Sequence, residues 1–216
     1  MDRILEPEVM DTPEEAATYE EMDHSEVNQA FVDRLVSLGA RGRLLDIGTG
    51  PGDIPVLVVD RMADSRVVAV DLAPRMLRLA EQRRTRSPHA ARVEIRVADA
   101  KALDFEDACF DAVFSNTILH HLADPRPFLR EARRVLKPGG ALLIRDLYRP
   151  CSDARVAELV AMYASGASVY GRELFRASLC AALTPSELRA VADESGLGDA
   201  MLLVDTDRHM SLQLPA

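Results

Sequence analysis

The sequence is poor in cysteine, with only Cys109, Cys151 and Cys180 among its 216 residues. Their number is odd, they lie far apart in the chain, and no two of them form a CxxC pair. These features exclude a zinc or disulfide framework that could be recognised from sequence, and they fit a reducing compartment. We therefore predict no metal site and a cytoplasmic location.

Positive charge is also scarce, because 26 Lys and Arg residues stand against 35 Asp and Glu residues, for a formal net charge of −9. A surface that follows nucleic-acid phosphates needs clustered basic side chains, so we expect no nucleic-acid partner. The densest basic run, residues 75–86, has helical spacing and is interpreted as a solvated helix face. No apolar run is long enough to span a bilayer, and the acidic N-terminus lacks the apolar core of a signal peptide.

The sequence does contain a regular alternation of short apolar segments and amphipathic segments. We predict five strands, at residues 43–47, 66–70, 92–97, 110–115 and 141–144. Helices are predicted between them at residues 53–63 and 74–84, and from residue 124 to the pair Gly139-Gly140. Nearly continuous apolar strands that alternate with helices indicate a mostly parallel sheet covered on both faces.

The two ends of the chain differ from this pattern. Residues 1–22 are predicted to be an acidic N-terminal segment that is partly disordered or acts as a lid. Residues 23–216 are predicted to form a single domain whose first helix starts near Asp23, with a helical insertion at about 152–183 that would cover the active site as a small lid. A capping box at residues 184–187 starts a further helix, and two last strands at 200–204 and 209–214 indicate a hairpin at the sheet edge.

The strongest motif is LLDIGTGPG, at residues 44–52, where a strand runs into Gly48, Gly50 and Gly52 and then a helix. Alternating glycines let the backbone turn tightly and let a ligand lie against bare main chain. A dinucleotide site of the form GxGxxG would need glycine at position 53, and Asp53 would instead repel a diphosphate. S-adenosylmethionine (SAM) has no phosphate and carries a sulfonium and an ammonium group. The turn therefore favours SAM over a nicotinamide cofactor.

Three further signals lie at the predicted carboxyl ends of strands, where open parallel sheets bind ligands. Asp71 ends the second strand and is placed to accept hydrogen bonds from ribose hydroxyls, a feature that NAD and SAM sites share. Asp99 follows the third strand in the sequence VADA and is placed to accept from an adenine amino group. The stretch SNTILHH, residues 115–121, leaves the fourth strand.

Taken in order, the stretches LLDIGTGPG, VVAVDLAPRML, VADA, FDAVFSNTILHHLADP and LREARRVLKPGGALLI resemble the class I SAM-dependent methyltransferases. The similarity is to the branch of ubiquinone/menaquinone-biosynthesis C-methyltransferases and related small-molecule enzymes, and it covers about residues 43–145. It implies an α/β, Rossmann-like, doubly wound sheet of seven strands, mostly parallel with a C-terminal antiparallel strand and with helices on both faces. It also implies methyl transfer from SAM to a small-molecule acceptor by in-line displacement.

The same resemblance implies positions for the cofactor. The methionyl part of SAM is expected near Asp46, the glycine turn and Asn116, the ribose at Asp71, and the adenine between Leu72, Met76 and Asp99. The full set of expected SAM contacts is Asp46, Gly48, Thr49, Gly50, Gly52, Asp71, Leu72, Met76, Asp99, Ala100 and Asn116. An N-terminal helix often covers the pocket in this family, which makes Tyr19 a candidate contact.

The acceptor is less defined by the sequence. A general base is needed only if the acceptor arrives protonated, and His120 and His121 are the catalytic candidates, although a structural role for this pair is equally open. His24 and Tyr148 are further candidates. Arg145 and Arg176 would pair with an anionic acceptor or form ordinary salt bridges. A protein or RNA acceptor, a SAM-binding module without transfer, and a monomer or a homodimer all stay open.

Overall fold

The computed structural model of the chain describes residues 1–9, 11, 12, 14 and 25–216. Three sequence predictions fall outside these residues: the helix start near Asp23 and the candidate contacts Tyr19 and His24. No helix in the described part of the chain has the length and apolarity that crossing a membrane requires.

Strands and helices alternate along most of the chain. The strands are β1 (Arg43–Ile47), β2 (Arg66–Asp71), β3 (Val93–Val97), β4 (Phe110–Asn116), β5 (Leu136–Leu147), β6 (Met201–Val204) and β7 (His209–Leu214). The helices are α1 (Ser25–Ser37), α2 (Asp53–Arg61), α3 (Pro74–Arg86), α4 (Arg126–Val135), α5 (Asp153–Tyr163), α6 (Val169–Ala181) and α7 (Pro185–Asp193). Short 3-10 turns occur at Ala90–Arg92 and Leu119–His121.

The seven strands form one sheet in the order β3-β2-β1-β4-β5-β7-β6. Strands β1 to β5 are mutually parallel, and β7 runs antiparallel to both of its neighbours, β5 and β6. The predicted seven-stranded, mostly parallel Rossmann-like sheet is confirmed. The strand order reverses between β1 and β4, and a crevice forms at such a switch point, at the carboxyl ends of the strands.

Alternation of side chains along each strand divides the core into two layers. On one face, Leu45 of β1 packs in a cluster with Phe128 of α4 and Leu188 of α7. On the other face, the neighbouring Leu44 packs in a cluster with Phe31 of α1. The predicted covering of both sheet faces by helices is therefore confirmed.

The boundary between α4 and β5 was predicted wrongly. We expected the helix to run to Gly139-Gly140 and the strand to begin at residue 141, but α4 ends at Val135 and β5 begins at once with Leu136. The pairing of β4 with β5 shifts register between Phe110 and Ala112. The two glycines allow this irregular start, because Gly139 has φ +73° and a Cβ on Gly140 would lie 2.7 Å from the Asp111 carbonyl oxygen.

The other end of β5 also differs from the prediction, in which the fifth strand covered residues 141–144. The strand continues to Leu147, because residues 142–147 pair with all six residues of β7. Strand β7 itself is fully buried between β5 and β6. The predicted C-terminal hairpin is confirmed, and its outer strand β6 forms the sheet edge.

Helices α5 and α6 lie in the segment for which a helical insertion was predicted and have a small core of their own. Leu147, Val156, Leu159 and Leu179 are buried together there. Helix α6 begins at Val169, where the Ser168 hydroxyl caps it and accepts a hydrogen bond from the Gly171 N–H at 3.0 Å. The predicted capping box of α7 is confirmed by reciprocal bonds between Thr184 and Glu187 at 3.2 and 2.8 Å.

Residues 1–9, called the N-terminal strap below, lie across α6 and the Leu119–His121 turn. The Arg3 guanidinium donates to the carbonyl oxygens of Ala181 at 2.6 Å and Leu122 at 2.8 Å. The Ile4 N–H donates to the Cys180 carbonyl at 3.1 Å. The strap thus brings the start of the chain to the carboxyl end of β4.

Candidate functional site

A cavity opens at the carboxyl ends of β1, β2 and β4, where the strand order reverses. Its walls come from the turns after these strands, from the segment after β3, from α1 and from the N-terminal strap. The lining residues are Glu8, Val9, Asn28, Asp46, Gly48, Thr49, Gly50, Pro51, Asp53, Ile54, Asp71, Leu72, Ala73, Met76, Ala98, Asp99, Ala100, Lys101, Asn116, Thr117, Ile118, His121 and Leu122. Ten of the eleven predicted SAM contacts are among them; the exception is Gly52.

The three glycines of the β1 turn all have positive φ but have different surroundings. A Cβ on Gly48 would lie 2.6 Å from the Ile118 side chain, and one on Gly52 would lie 2.7 Å from the Ala80 Cβ. A Cβ on Gly50 would meet no atom within 4 Å, because Gly50 faces the cavity. Two of the glycines therefore serve packing, and the third leaves open space for a ligand.

Asp46, near the end of β1, is almost fully buried and accepts a hydrogen bond from the Thr49 hydroxyl at 2.7 Å. Burial raises the pKa of its carboxyl to about 7, against the lowering effect of the Thr49 bond and with a further upward push from Asp71. A positive group in the cavity would favour the ionised form of Asp46.

Asp71, at the end of β2, is held in place by the backbone. Its Oδ2 accepts from the Gly50 N–H and its Oδ1 from the Ala73 N–H, both at 2.8 Å. Burial raises the pKa of Asp71, and these two bonds oppose the shift. Because each carboxylate oxygen has a second lone pair, both oxygens can still accept from a hydroxyl on a ligand.

Asp99, after β3, lies beside Lys101. The Oδ1 atom accepts from the Lys101 backbone N–H at 2.9 Å and lies 3.0 Å from the Lys101 ammonium. Partial burial raises the pKa of Asp99, but the bonds and charge of Lys101 outweigh it and hold the pKa below its usual value. Lys101 also pairs with Glu8 of the N-terminal strap, which ties the strap to the cavity rim.

Asp53 has a partner that the sequence argument did not foresee. Its carboxylate lies 2.7 Å from the Arg83 guanidinium, which also donates to the Pro51 carbonyl at 3.1 Å. The charge of Asp53 is therefore largely balanced, and its repulsion of a diphosphate is weaker than we assumed. The preference for a cationic ligand rests on the other carboxylates of the cavity.

The end of β4 carries an unsatisfied polar atom and a strained residue. The Oδ1 atom of Asn116 is buried and has no hydrogen-bond partner among the described residues. The next residue, Thr117, has φ +61°, a conformation that is costly for a β-branched side chain. Both residues line the cavity, and the orphaned oxygen is suited to accept a hydrogen bond from a ligand.

The two candidate histidines have different positions. His120 is buried behind the wall, and its Nδ1 atom lies 2.6 Å from the Asp146 carboxylate. Burial lowers the pKa of His120, but Asp146 and Glu6 outweigh this effect and raise it. His121 lines the cavity, and burial together with the neighbouring His120 lowers its pKa to about 3.

The predicted acceptor contacts that the structure describes are not among the lining residues. Arg145 lies within β5 and faces Asp205 at 3.9 Å, and Tyr148 packs against the core that contains Phe128. Arg176 is exposed on α6. Their role as acceptor contacts stays a prediction.

Sequence reasoning missed several lining residues that come from distant segments. Glu8 and Val9 belong to the N-terminal strap and Asn28 to α1. The lid role of residues 1–22 stays a prediction, and no motif marked these individual side chains.

Comparison with known proteins gives the same picture. Residues 45–144 match the family model described as a methyltransferase domain. A ubiquinone/menaquinone biosynthesis C-methyltransferase of Geobacter sp. strain M21 is 31% identical over 121 residues, which are 56% of this chain and 52% of that protein. A 27-O-demethylrifamycin SV methyltransferase of Amycolatopsis mediterranei is 35% identical over 136 residues, or 62% of this chain and 48% of that protein.

A similar solved structure is phosphoethanolamine N-methyltransferase 2 of Haemonchus contortus in complex with S-adenosyl-L-methionine. The two chains superpose with a TM-score of 0.66 and 26% sequence identity, and the matched region is 84% of this chain and 39% of that one. The chain spans about half the length or less of the curated relatives it matches. Residues 45–144 thus match a methyltransferase domain, and the chain is similar in sequence to ubiquinone/menaquinone-biosynthesis C-methyltransferases and in fold to a methyltransferase solved with S-adenosyl-L-methionine.

Proposed function

We propose that the protein is a SAM-dependent methyltransferase that acts on a small-molecule acceptor. The observation that carries this proposal is the charge of the cavity wall. Its described lining includes five carboxylates, of which Asp53 is balanced by Arg83, and a single basic side chain among Lys and Arg, Lys101, which is already paired with Asp99 and Glu8. Such a wall disfavours a phosphate-bearing cofactor and suits one that carries a sulfonium and an ammonium group.

Each part of SAM has a suitable partner in this cavity. We assign the ribose hydroxyls to the two oxygens of Asp71, which backbone bonds already hold in position. The adenine would lie between Leu72 and Met76, with its amino group donating to Asp99. The ammonium group would lie near Asp46 and the orphaned Oδ1 of Asn116, with the main chain of Gly50 against the chain of the methionyl group.

The sulfonium of SAM supplies an already activated methyl group, so the protein's part is orientation and exclusion of water. Asp71 and Asp99 fix the nucleoside, which sets the direction of the methyl group. Thr117, Ile118 and His121 form the wall beyond Asn116 and are the described residues placed to face an acceptor. The pKa of His121 is lowered to about 3, so its ring is neutral at physiological pH but too weak a base to take a proton readily from an acceptor hydroxyl, and a catalytic role for it stays a prediction.

The acceptor class is inferred from the relatives and the surface charge. The relatives are named for ubiquinone/menaquinone biosynthesis and for rifamycin methylation, and the net charge of −9 argues against a nucleic-acid substrate. We further propose a cytoplasmic protein that is a monomer or a homodimer, in which residues 23–216 form one domain and the N-terminal segment acts as a lid.

Calorimetric titration with S-adenosylhomocysteine and, separately, with NAD tests the cofactor. We expect binding of the first only, and binding of NAD alone would refute the proposal. Replacing Asp71 with Ala is expected to weaken binding by about 1–3 kcal/mol, the usual cost of leaving a buried hydrogen-bonding group without its partner. Asp64→Ala is the matched control, because Asp64 is exposed and lies outside the cavity.

Transfer itself is tested by following S-adenosylhomocysteine formation with a panel of quinols, phenols and amines. Turnover with at least one small acceptor supports the enzyme. The protein could instead bind S-adenosylhomocysteine tightly, show no turnover with any small molecule, and show turnover with a cell protein or RNA fraction. That result would replace the small-molecule acceptor with a protein or RNA acceptor. Binding without any turnover would favour a SAM-binding module.

A further inference from the structure

A cluster of three side chains of metal-ligating types lies beside the cavity, which one of them, His121, also lines. It consists of Glu6 from the N-terminal strap and of His120 and His121 from the turn after β4, and we call it the Glu-His-His cluster. Their ligand atoms lie within 4.8 Å of one another. The Glu6 Oε1 atom is 3.4 Å from the His120 Nε2 and 3.1 Å from the His121 Nδ1. Ligands about 2.0–2.2 Å from a tetrahedral zinc ion are separated by distances of this order.

When His120 is neutral, the hydrogen bonds around the cluster place ring nitrogens without a proton opposite the Glu6 carboxylate, whereas a protonated His120 would form an ion pair with it. The Nδ1 of His120 is bonded to Asp146 at 2.6 Å, and a neutral ring that donates there presents the lone pair of Nε2 to Glu6. The Nδ1 of His121 is buried and makes no hydrogen bond among the described residues. The His121 ring also interacts with the backbone of Pro7. Because proline has no backbone N–H, its carbonyl oxygen can only accept, so the ring proton of His121 belongs on the nitrogen that faces Pro7. Three electron-pair donors therefore converge, an arrangement that a cation stabilises.

The surroundings of the cluster match those of known metal sites. A histidine that binds a metal usually gives its other ring N–H to a carboxylate, which fixes the ring and its tautomer. Asp146 has this position, and it is itself held by the backbone N–H groups of Leu119 at 2.5 Å and Leu147 at 2.6 Å. The side chains of Glu6 and His120 are only 6% and 5% exposed, so the cluster is shielded from bulk water.

We propose that the Glu-His-His cluster binds a divalent cation of the zinc class, with Glu6, His120 and His121 as its three protein ligands. Two imidazoles and one carboxylate are a donor set of catalytic zinc sites, which keep a fourth position open. His121 lines the cavity, so the open position is on the cavity side, where it would take an oxygen of the acceptor. The position of the acceptor rests on the proposed function, whereas the metal site itself does not.

Titration of the chelator-treated, full-length protein with Zn²⁺, in competition with a chromophoric chelator, tests the site directly. Co²⁺ offers a second readout, because its visible absorption reports four-coordinate nitrogen and oxygen ligation. We expect one equivalent of either metal to bind. Glu6→Gln and His121→Gln should each weaken binding by roughly tenfold or more, the scale seen when the surroundings of a metal site are altered.

Two matched variants serve as controls. Glu8→Gln changes a carboxylate of the same strap that pairs with Lys101 outside the cluster, and His89→Gln changes a histidine in a distant turn. Both should bind metal as the unaltered protein does. Circular dichroism establishes that each variant is folded. Because Glu6→Gln and His121→Gln change different segments of the chain, one of them still tests the site if the other does not fold.

Metal binding that is equally strong in the unaltered protein, Glu6→Gln and His121→Gln would overturn the proposal, as would no stoichiometric binding by the unaltered protein. Either result would leave the cluster as an ion pair between a protonated His120 and its two carboxylates. Because the readout is metal binding, it is separate from the S-adenosylhomocysteine titration, and each proposal can fail without the other.

Discussion

Gly50 and Gly52 stand two residues apart in the same turn, yet adding one methyl group to each should have different consequences. Both have positive φ, +54° at Gly50 and +81° at Gly52. At Gly52 the new Cβ would lie 2.7 Å from the Ala80 Cβ and 2.9 Å from the Ala80 Cα. At Gly50 it would project into open space on the cavity side.

The magnitudes follow from two contributions. Placing alanine in the left-handed region costs roughly 1–2 kcal/mol, and forcing a methyl group into a packed contact adds about 1–3 kcal/mol. Gly52→Ala carries both contributions and should lower the free energy of unfolding by about 2–5 kcal/mol. Gly50→Ala carries only the first, but it should weaken S-adenosylhomocysteine binding at least tenfold, or by about 1.4 kcal/mol, because the methyl group occupies ligand space.

Urea unfolding followed by circular dichroism measures the first quantity, and calorimetric titration with S-adenosylhomocysteine measures the second. Gly139→Ala is the matched control, because Gly139 has φ +73°, meets no atom within 4 Å of its Cβ position and lies outside the cavity. It should lose only the backbone contribution and bind normally. The reasoning fails if Gly52→Ala is no less stable than Gly139→Ala, or if Gly50→Ala binds as tightly as the unaltered protein.

Three further predictions concern other parts of the fold. Asp46 has a pKa raised to about 7, so its protonated form stabilises the folded state, and this contribution falls as pH rises from about 4 towards 7. The ammonium group of S-adenosylhomocysteine, placed near Asp46, favours the ionised form of Asp46. The affinity for S-adenosylhomocysteine should therefore rise with pH through about 7 with proton release, which calorimetry in buffers of different ionisation enthalpy detects. A pH response that persists in Asp46→Asn contradicts this assignment. Thr184→Ala removes the capping box of α7 and should cost about 1 kcal/mol in urea unfolding with unchanged ligand affinity. Arg149→Met leaves the buried Ala182 carbonyl without its 2.8 Å donor and should cost about 1–3 kcal/mol, and an unfolding midpoint equal to that of the unaltered protein would show that the bond contributes nothing.

Features that depend on neighbouring residues were predictable from the sequence. The alternation of strands and helices is set by local hydrophobic periodicity, and the capping box at Thr184 is set by residue types three positions apart. The glycine turn and the aspartates at strand ends share one edge of the sheet, because parallel strands all end on the same side. The cavity lining by Asp46, Asp71 and Asp99 follows from that rule.

Features that depend on distant segments were not predictable in the same way. The start of β5 was misplaced, because the glycines that usually stop a helix here begin a strand with an irregular register against β4. Its end was misplaced because pairing with β7, far along the chain, extends it to Leu147. Arg83 neutralises Asp53 through a contact between α3 and the start of α2, which no periodicity reveals.

The sequence by itself therefore determined the sheet, the turn that faces a ligand and the carboxylates around it, since each of these is encoded by residues close together in the chain. The tertiary structure decided which charges are balanced and which polar groups meet. Glu6 and the pair His120-His121 are separated by 114 or more positions in the sequence, and only the path of the N-terminal strap across α6 brings them within 3.4 Å.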